Sequence, residues 1–187
     1  MPTNIVTAPT GYPVTLEEAK ESLRVTHSDD DARIARHISS ATDFVQGRTG
    51  RALFTQTVDF YLDCFTDKII LPTSPISSIT SVKYLAVESN SPDLQTLATT
   101  IYQSDLLSVP PTISLIPGQS WPSTRDVINA VVIRFVAGYG VAGSVPSNFK
   151  DAILLKVEQL YDRNPENDSI IDQAIDALIL KDRLWYV

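Results

Sequence analysis

Residues 135–146 read FVAGYGVAGSVP, and the reading of this stretch decides the fold. Gly138, Gly140 and Gly143 stand at the spacing of a dinucleotide-binding loop, behind an apolar strand-like run and ahead of a helical pattern. A nucleotide fold needs its helix to start at the loop, so that the helix N-terminus meets the pyrophosphate. Here Ser144, Val145 and Pro146 intervene before the helix. Such a fold also needs a second parallel strand with an acidic residue for the ribose, and the next pattern is another helix. Gly138, Gly140, Gly143 and Pro146 are therefore read as a structural loop, its glycines supplying positive φ where a strand leaves a sheet. No cofactor is expected.

Downstream of the loop, Phe149, Ala152, Ile153, Val157, Leu160 and Tyr161 form a helical stripe, with Ser147 or Asn148 as cap and Asn164-Pro165 as the end. Leu154 and Leu155 lie off that stripe. Ile171, Ala174, Ile175, Leu178 and Ile179 form a second stripe, running out at Lys181-Asp182-Arg183.

At the other end of the chain, Thr15-Leu16-Glu17-Glu18 reads as a capping box opening a helix to about Val25. His27-Ser28 breaks it. Asp29, Asp30 and Asp31 open a second helix with Ile34, Ile38, Ala41 and Val45 on one face, and Gly47 and Gly50 fit its end.

Between the helical pairs the texture is that of strands: Thr55–Leu62, Ile69–Leu71, Ile76–Val87, Thr112–Ile116 and Val127–Val136, punctuated by prolines. The expected fold class is α+β. Residues 1–50 and 147–187 form a helical scaffold, and 51–146 an inserted antiparallel unit of about four to six strands, in one domain spanning 1–187.

Composition narrows the function. The 187 residues are 43% hydrophobic and 20% charged, as in an ordinary globular protein. No apolar run is long enough to span a bilayer. Met1–Gly11 lacks the pattern of a signal peptide, and no membrane partner is expected. The net charge of -7, from 15 basic and 22 acidic residues, argues against a protein that grips duplex DNA. It leaves room for one that lets nucleic acid pass.

Candidate sites are few. The Asp29–Asp31 run lacks the alternating oxygen ligands of a calcium loop, and helix capping explains it, so no metal is expected. Cys64 sits in an aromatic strand-like context that points to a buried or half-buried structural residue. His27 and His37 have no orienting partner in sequence, and no Gly-x-Ser-x-Gly elbow exists, so no catalytic residues are assigned. Leu184-Trp185-Tyr186-Val187 is unusual for the end of a chain. It either folds back onto the core or anchors a partner, a role that Trp and Tyr favour.

The order of these pieces resembles the head–tail connector (adaptor) proteins of tailed bacteriophages and gene transfer agents. The resemblance is carried by Pro13-Val14-Thr15-Leu16-Glu17-Glu18-Ala19-Lys20, Leu23-Arg24-Val25, the Asp30-Asp31 helix, and Thr49-Gly50-Arg51-Ala52-Leu53. It continues through Leu71-Pro72, Pro75-Ile76, Ser81-Val82-Lys83-Tyr84, Trp121-Pro122, Ala137-Gly138-Tyr139-Gly140, Val145-Pro146, Lys150-Asp151-Ala152-Ile153 and Leu160-Tyr161. The long stretch Val87–Leu97 and the aromatic end depart from the family pattern.

The resemblance implies a structural virion protein rather than an enzyme, working at the particle's neck after assembly in the host cytoplasm. Copies would form a ring, commonly of twelve, that docks on the portal protein and links it to the next neck or tail connector. DNA would pass non-specifically through the channel. By the same analogy, Lys181 to Val187 would reach the portal, with Arg183, Leu184, Trp185, Tyr186 and Val187 docking, while the β unit and its loop at Glu88–Leu94 would face outward or toward the next ring. The alternatives are a stopper or tail-terminator ring protein, whose β-dominated build the two helical pairs oppose, and a cofactor-binding enzyme using the 138–143 loop.

Overall fold

The computed structural model describes residues 2–87, 93–162, 166 and 168–184. It is α+β, and it divides into two compact units. One contains the chain up to Ala8 and Thr55–Gly138; the other contains Pro9–Phe54 and Tyr139–Leu184. No described helix is long and apolar enough to cross a membrane.

The first unit is all antiparallel. β1 (Thr3–Thr7), β2 (Gln56–Leu62), β8 (Val131–Ala137), β4 (Ile76–Tyr84) and β5 (Gln95–Thr96) form one sheet in that order. β3 (Lys68–Ile70), β7 (Thr112–Leu115) and β6 (Tyr102–Asp105) form another. Register follows burial: Val58 faces Phe135, Phe60 faces Ile133 and Leu62 faces Val131, all buried. Successive side chains alternate between sheet faces, so Asp59 opposes Arg134 on the other side. Both Arg134 donors, Nε and Nη2, meet the Asp59 carboxylate at 2.7 Å. That carboxylate raises the Arg134 guanidinium above its ordinary range.

Three expectations about this unit need correction. Among the described residues, 51–146 hold seven strands against the four to six expected, and an eighth, β1, lies within residues 1–50, which were read as helical scaffold; β1, β5 and β6 carry too little alternation to read. The last strand starts at Val131, not Val127, and Ile128 is exposed. Cys64 is exposed, because β2 ends at Leu62 and the cysteine falls in the turn beyond it.

The second unit is helical. α1 (Leu16–Leu23) opens on the expected capping box: the Glu18 N–H donates to Thr15 Oγ1 at 3.1 Å, and the Thr15 N–H donates to Glu18 Oε2 at 2.8 Å. α2 (Asp31–Thr49), α3 (Ser147–Tyr161) and α4 (Asp168–Ile179) follow. Ile34, Ile38, Ala41 and Val45 of α2 meet Phe149, Ala152, Ile153 and Val157 of α3 and Ile175 and Ile179 of α4 in one buried cluster. Leu154 and Leu155, off the main stripe, pack against this same cluster. Ala174 is exposed, opposite the buried Ile175 and Ile179.

Helix ends differ in detail from the sequence reading. Gly50 caps α2 in the left-handed region (φ 71°), whereas Gly47 lies inside the helix. Neither Ser147 nor Asn148 caps α3. Pro146 occupies the cap position, and Asn148 turns its amide to the other side of the unit. Asn164-Pro165 lies outside the described residues.

Candidate functional site

The Gly138–Pro146 loop follows directly on β8. Gly138 (φ 119°) and Gly140 (φ 95°) adopt conformations that cost a side-chain-bearing residue dearly. Gly143 sits in a single 3-10 turn, Ala142–Ser144, and is not among the glycines of positive φ. Pro146 then starts α3, its carbonyl accepting the Phe149 N–H at 3.1 Å. The loop therefore presents no helix N-terminus at its glycines, and α3 leads to α4 rather than to a strand.

What the loop does place is Tyr139. Its ring tilts against Phe149, with centroids 5.9 Å apart. Its hydroxyl accepts a hydrogen bond from Arg51 Nη1 at 3.3 Å. Burial raises the Tyr139 pKa, and the Arg51 cation works in the opposite direction.

Arg51 connects this loop to the end of the chain. Its Nε donates to the carbonyl of Asp182, within the 3-10 turn Leu180–Asp182 that continues α4. Asn148 Nδ2, in the first turn of α3, donates to Asp182 Oδ2 at 2.9 Å and to the Leu178 carbonyl at 3.1 Å. The Leu184 N–H donates to the Thr49 carbonyl at 2.8 Å, and Leu184 itself is buried. Three groups, the Thr49 carbonyl at the end of α2, the Arg51 side chain just beyond it and Asn148 at the start of α3, thus hold residues 178–184 through four hydrogen bonds.

Of the five residues assigned to portal docking, Leu184 is buried and Arg183 is exposed. Trp185, Tyr186 and Val187 lie outside the described residues, as do residues 88–92 of the Glu88–Leu94 loop. Sequence reasoning gave Arg51, Tyr139 and Asn148 no part in holding the tail, although Arg51 and Tyr139 fall within stretches that carried the family resemblance.

The acidic run at 29–31 is tied into the helical unit. Asp30 accepts from the Tyr161 hydroxyl at 2.7 Å and Asp31 from Lys20 Nζ at 2.7 Å. Asp30 holds the Tyr161 hydroxyl above its ordinary pKa range. Arg33 lies over the Tyr161 ring and donates to its carbonyl at 2.9 Å. The expected side-chain cap on α2 is not formed: Asp30 stands at the cap position but spends its carboxylate on Tyr161. His27 is exposed and His37 half-buried. No cluster of three or more metal-ligating side chains occurs among the described residues.

A family model described as "Phage gp6-like head-tail connector protein" matches residues 13–102. Over that segment, just under half of the chain, the sequence is similar to head–tail connector proteins.

Solved structures agree on the fold. A chain in a structure described as "Virion of native gene transfer agent (GTA) particle" superposes with a TM-score of 0.82 at 22% identity, covering 100% of this chain and 97% of that one. Chains from "Neck of empty GTA particle computed with C6 symmetry" (TM-score 0.81, 22% identity) and "Neck of native GTA particle computed with C12 symmetry" (0.79, 23%) match with the same coverage. At these identities the likeness is one of fold. No curated protein matches the chain.

Proposed function

We propose that this chain is a head–tail connector that assembles into a ring, of about twelve copies by analogy with closed cyclic assemblies, on the portal of a tailed particle. The observation that carries this reading is end-to-end: neck and virion chains of gene transfer agent particles share the fold over the whole of this chain. A cyclic ring is built from one repeated head-to-tail contact, so each copy offers two different patches that complement one another. Residues 1–187 act as one connector domain in this ring, and the β unit faces outward or toward the next neck component.

DNA passes through the channel without being gripped. The net charge of -7 suits that role, since an acidic wall repels phosphates. The C-terminal segment Arg183–Val187 docks on the portal. Within it, Leu184, buried and bonded through its amide to the Thr49 carbonyl, serves as the inner anchor, and Trp185, Tyr186 and Val187 supply the contacts to the partner.

Sedimentation of the purified chain with portal rings tests this reading. The full chain is expected to co-sediment with the rings, and a chain ending at Leu184 is expected to stay behind with unchanged circular dichroism. Equal co-sedimentation of both chains overturns the role given to the tail. Failure of both to bind overturns the connector reading.

A further inference from the structure

The root of the tail is fastened more firmly than the end of a helix requires. α4 ends at Ile179, and its last turn tightens into a 3-10 turn at Leu180–Asp182. An exposed helix end would fray there, its last carbonyls bonded to water. Instead, two of the carbonyls at this end have side-chain donors from elsewhere in the chain. Asn148 takes that of Leu178, and Arg51 takes that of Asp182. The Arg183 amide closes the turn on the Leu180 carbonyl, and the Leu184 amide is taken by the Thr49 carbonyl. Arg51 follows Gly50, the left-handed cap of α2, which turns the chain and gives residue 51 its place beside the tail. Its other arm rests on the Tyr139 hydroxyl, and Tyr139 stands between two glycines of positive φ, Gly138 and Gly140. The glycine loop thus has a purpose beyond leaving the sheet: it carries the rest on which the Arg51 fork is oriented.

From this geometry we infer that Arg51, oriented by Tyr139, is a latch that holds the tail root, residues 180–184, on the helical unit. The inference rests on the proposed docking of that tail. A root that is already fastened leaves less of the chain to order on binding, so the latch raises affinity without touching the partner. Arg51 is in this sense a positioning residue. Lysine cannot replace it, because the latch uses two donors of one planar fork pointing to two different acceptors.

The latch can be tested without any partner. Lys181 and Arg183 are exposed tryptic sites at the tail root. Limited proteolysis of a folded protein follows the population of the locally opened state. Arg51→Gln is expected to speed cleavage at these two sites about tenfold, the factor carried by one charge-assisted hydrogen bond. Arg51→Lys should behave nearly as Arg51→Gln does. Tyr139→Phe, which keeps the ring on Phe149 and removes only the hydroxyl, should give a smaller increase. It also decides the matter if the Arg51 variants fail to fold. Cleavage at the wild-type rate in a folded Arg51→Gln chain, or in Tyr139→Phe where the Arg51 variants do not fold, overturns the latch.

Portal binding supplies the second arm. In the full chain Arg51→Gln should weaken co-sedimentation with portal rings. Binding of that folded variant at the level of the parent chain would overturn the inference. A truncation that binds as well as the full chain defeats tail docking itself, while the protease result still decides whether the latch exists.

Discussion

Asp59 and Arg134 join two neighbouring strands whose backbones are already hydrogen-bonded, whereas Glu18–Lys150, Lys20–Asp31, Arg48–Asp176 and Lys156–Asp172 join helices that share no backbone ladder. The contrast reflects how the two kinds of element satisfy their peptide groups. A helix bonds to itself and leaves its neighbours to be chosen by side chains; a strand chooses its neighbour through the backbone, and its side chains set the register. In the β unit the carboxylate of the pair is also more deeply set, with the Asp59 side chain 7% exposed, against 37–48% for the α4 carboxylates Asp172 and Asp176. Loss of a partner should therefore cost more in the sheet than between the helices, while loss of core should cost both units alike.

The largest effects test that equality. Phe135→Ala in β8 and Phe149→Ala in α3 each remove a fully buried ring, and each should lower stability by about 3–5 kcal/mol in a urea titration. A loss under 1 kcal/mol at either position would mean that unit has no tight core of its own.

The next pair tests the difference. Arg134→Ala strands the Asp59 carboxylate and should cost about 2 kcal/mol, whereas Arg48→Ala breaks a half-exposed pair and should cost about 0.5 kcal/mol. Matching losses in chemical denaturation would erase the distinction.

Smaller effects lie at the first helix. Thr15→Ala should cost about 1 kcal/mol through the lost cap. Glu18 has its pKa lowered, first by the Thr15 backbone N–H and then, against a desolvation cost, by Lys150. A lowered folded-state pKa gives stability that is present above the ordinary glutamate range and lost as pH falls through the folded value. Glu18→Gln should flatten the acid limb of the stability curve there and leave its shape at neutral pH unchanged. An acid limb identical to that of the parent chain would contradict this.

The smallest effects distinguish glycines by backbone. Gly140→Ala should destabilise by about 1 kcal/mol although its Cβ meets open space, because the cost lies in φ. Gly47→Ala, in mid-helix and equally open, should stabilise by about 0.5–1 kcal/mol. Thermal melting of the two variants should move in opposite directions.

The same contrast explains what could be read from the sequence. The helical unit was legible because the stripe from Ile34 to Val45, the one from Phe149 to Val157 and the Thr15–Glu18 box are each local patterns with one physical meaning. In the sheet, β2 and β8 were legible for the same reason, since their alternation is the burial pattern itself. β1 was not: all five of its residues are exposed, so no alternation marks them, and only pairing with β2 makes them a strand. β5 is two residues long and β6 buries only Tyr102. The tail root was illegible for a different reason. Thr49, Arg51, Tyr139, Asn148 and Asp182 come together only in the folded chain, and no spacing in the sequence announces them.

The most direct test of the connector account is electron microscopy of the particle's neck, with portal rings decorated by the purified chain imaged beside it. The account predicts a closed ring of this chain seated on the portal, each copy touching the next through two different patches. A neck without the chain, or portal rings that remain bare in its presence, would contradict it.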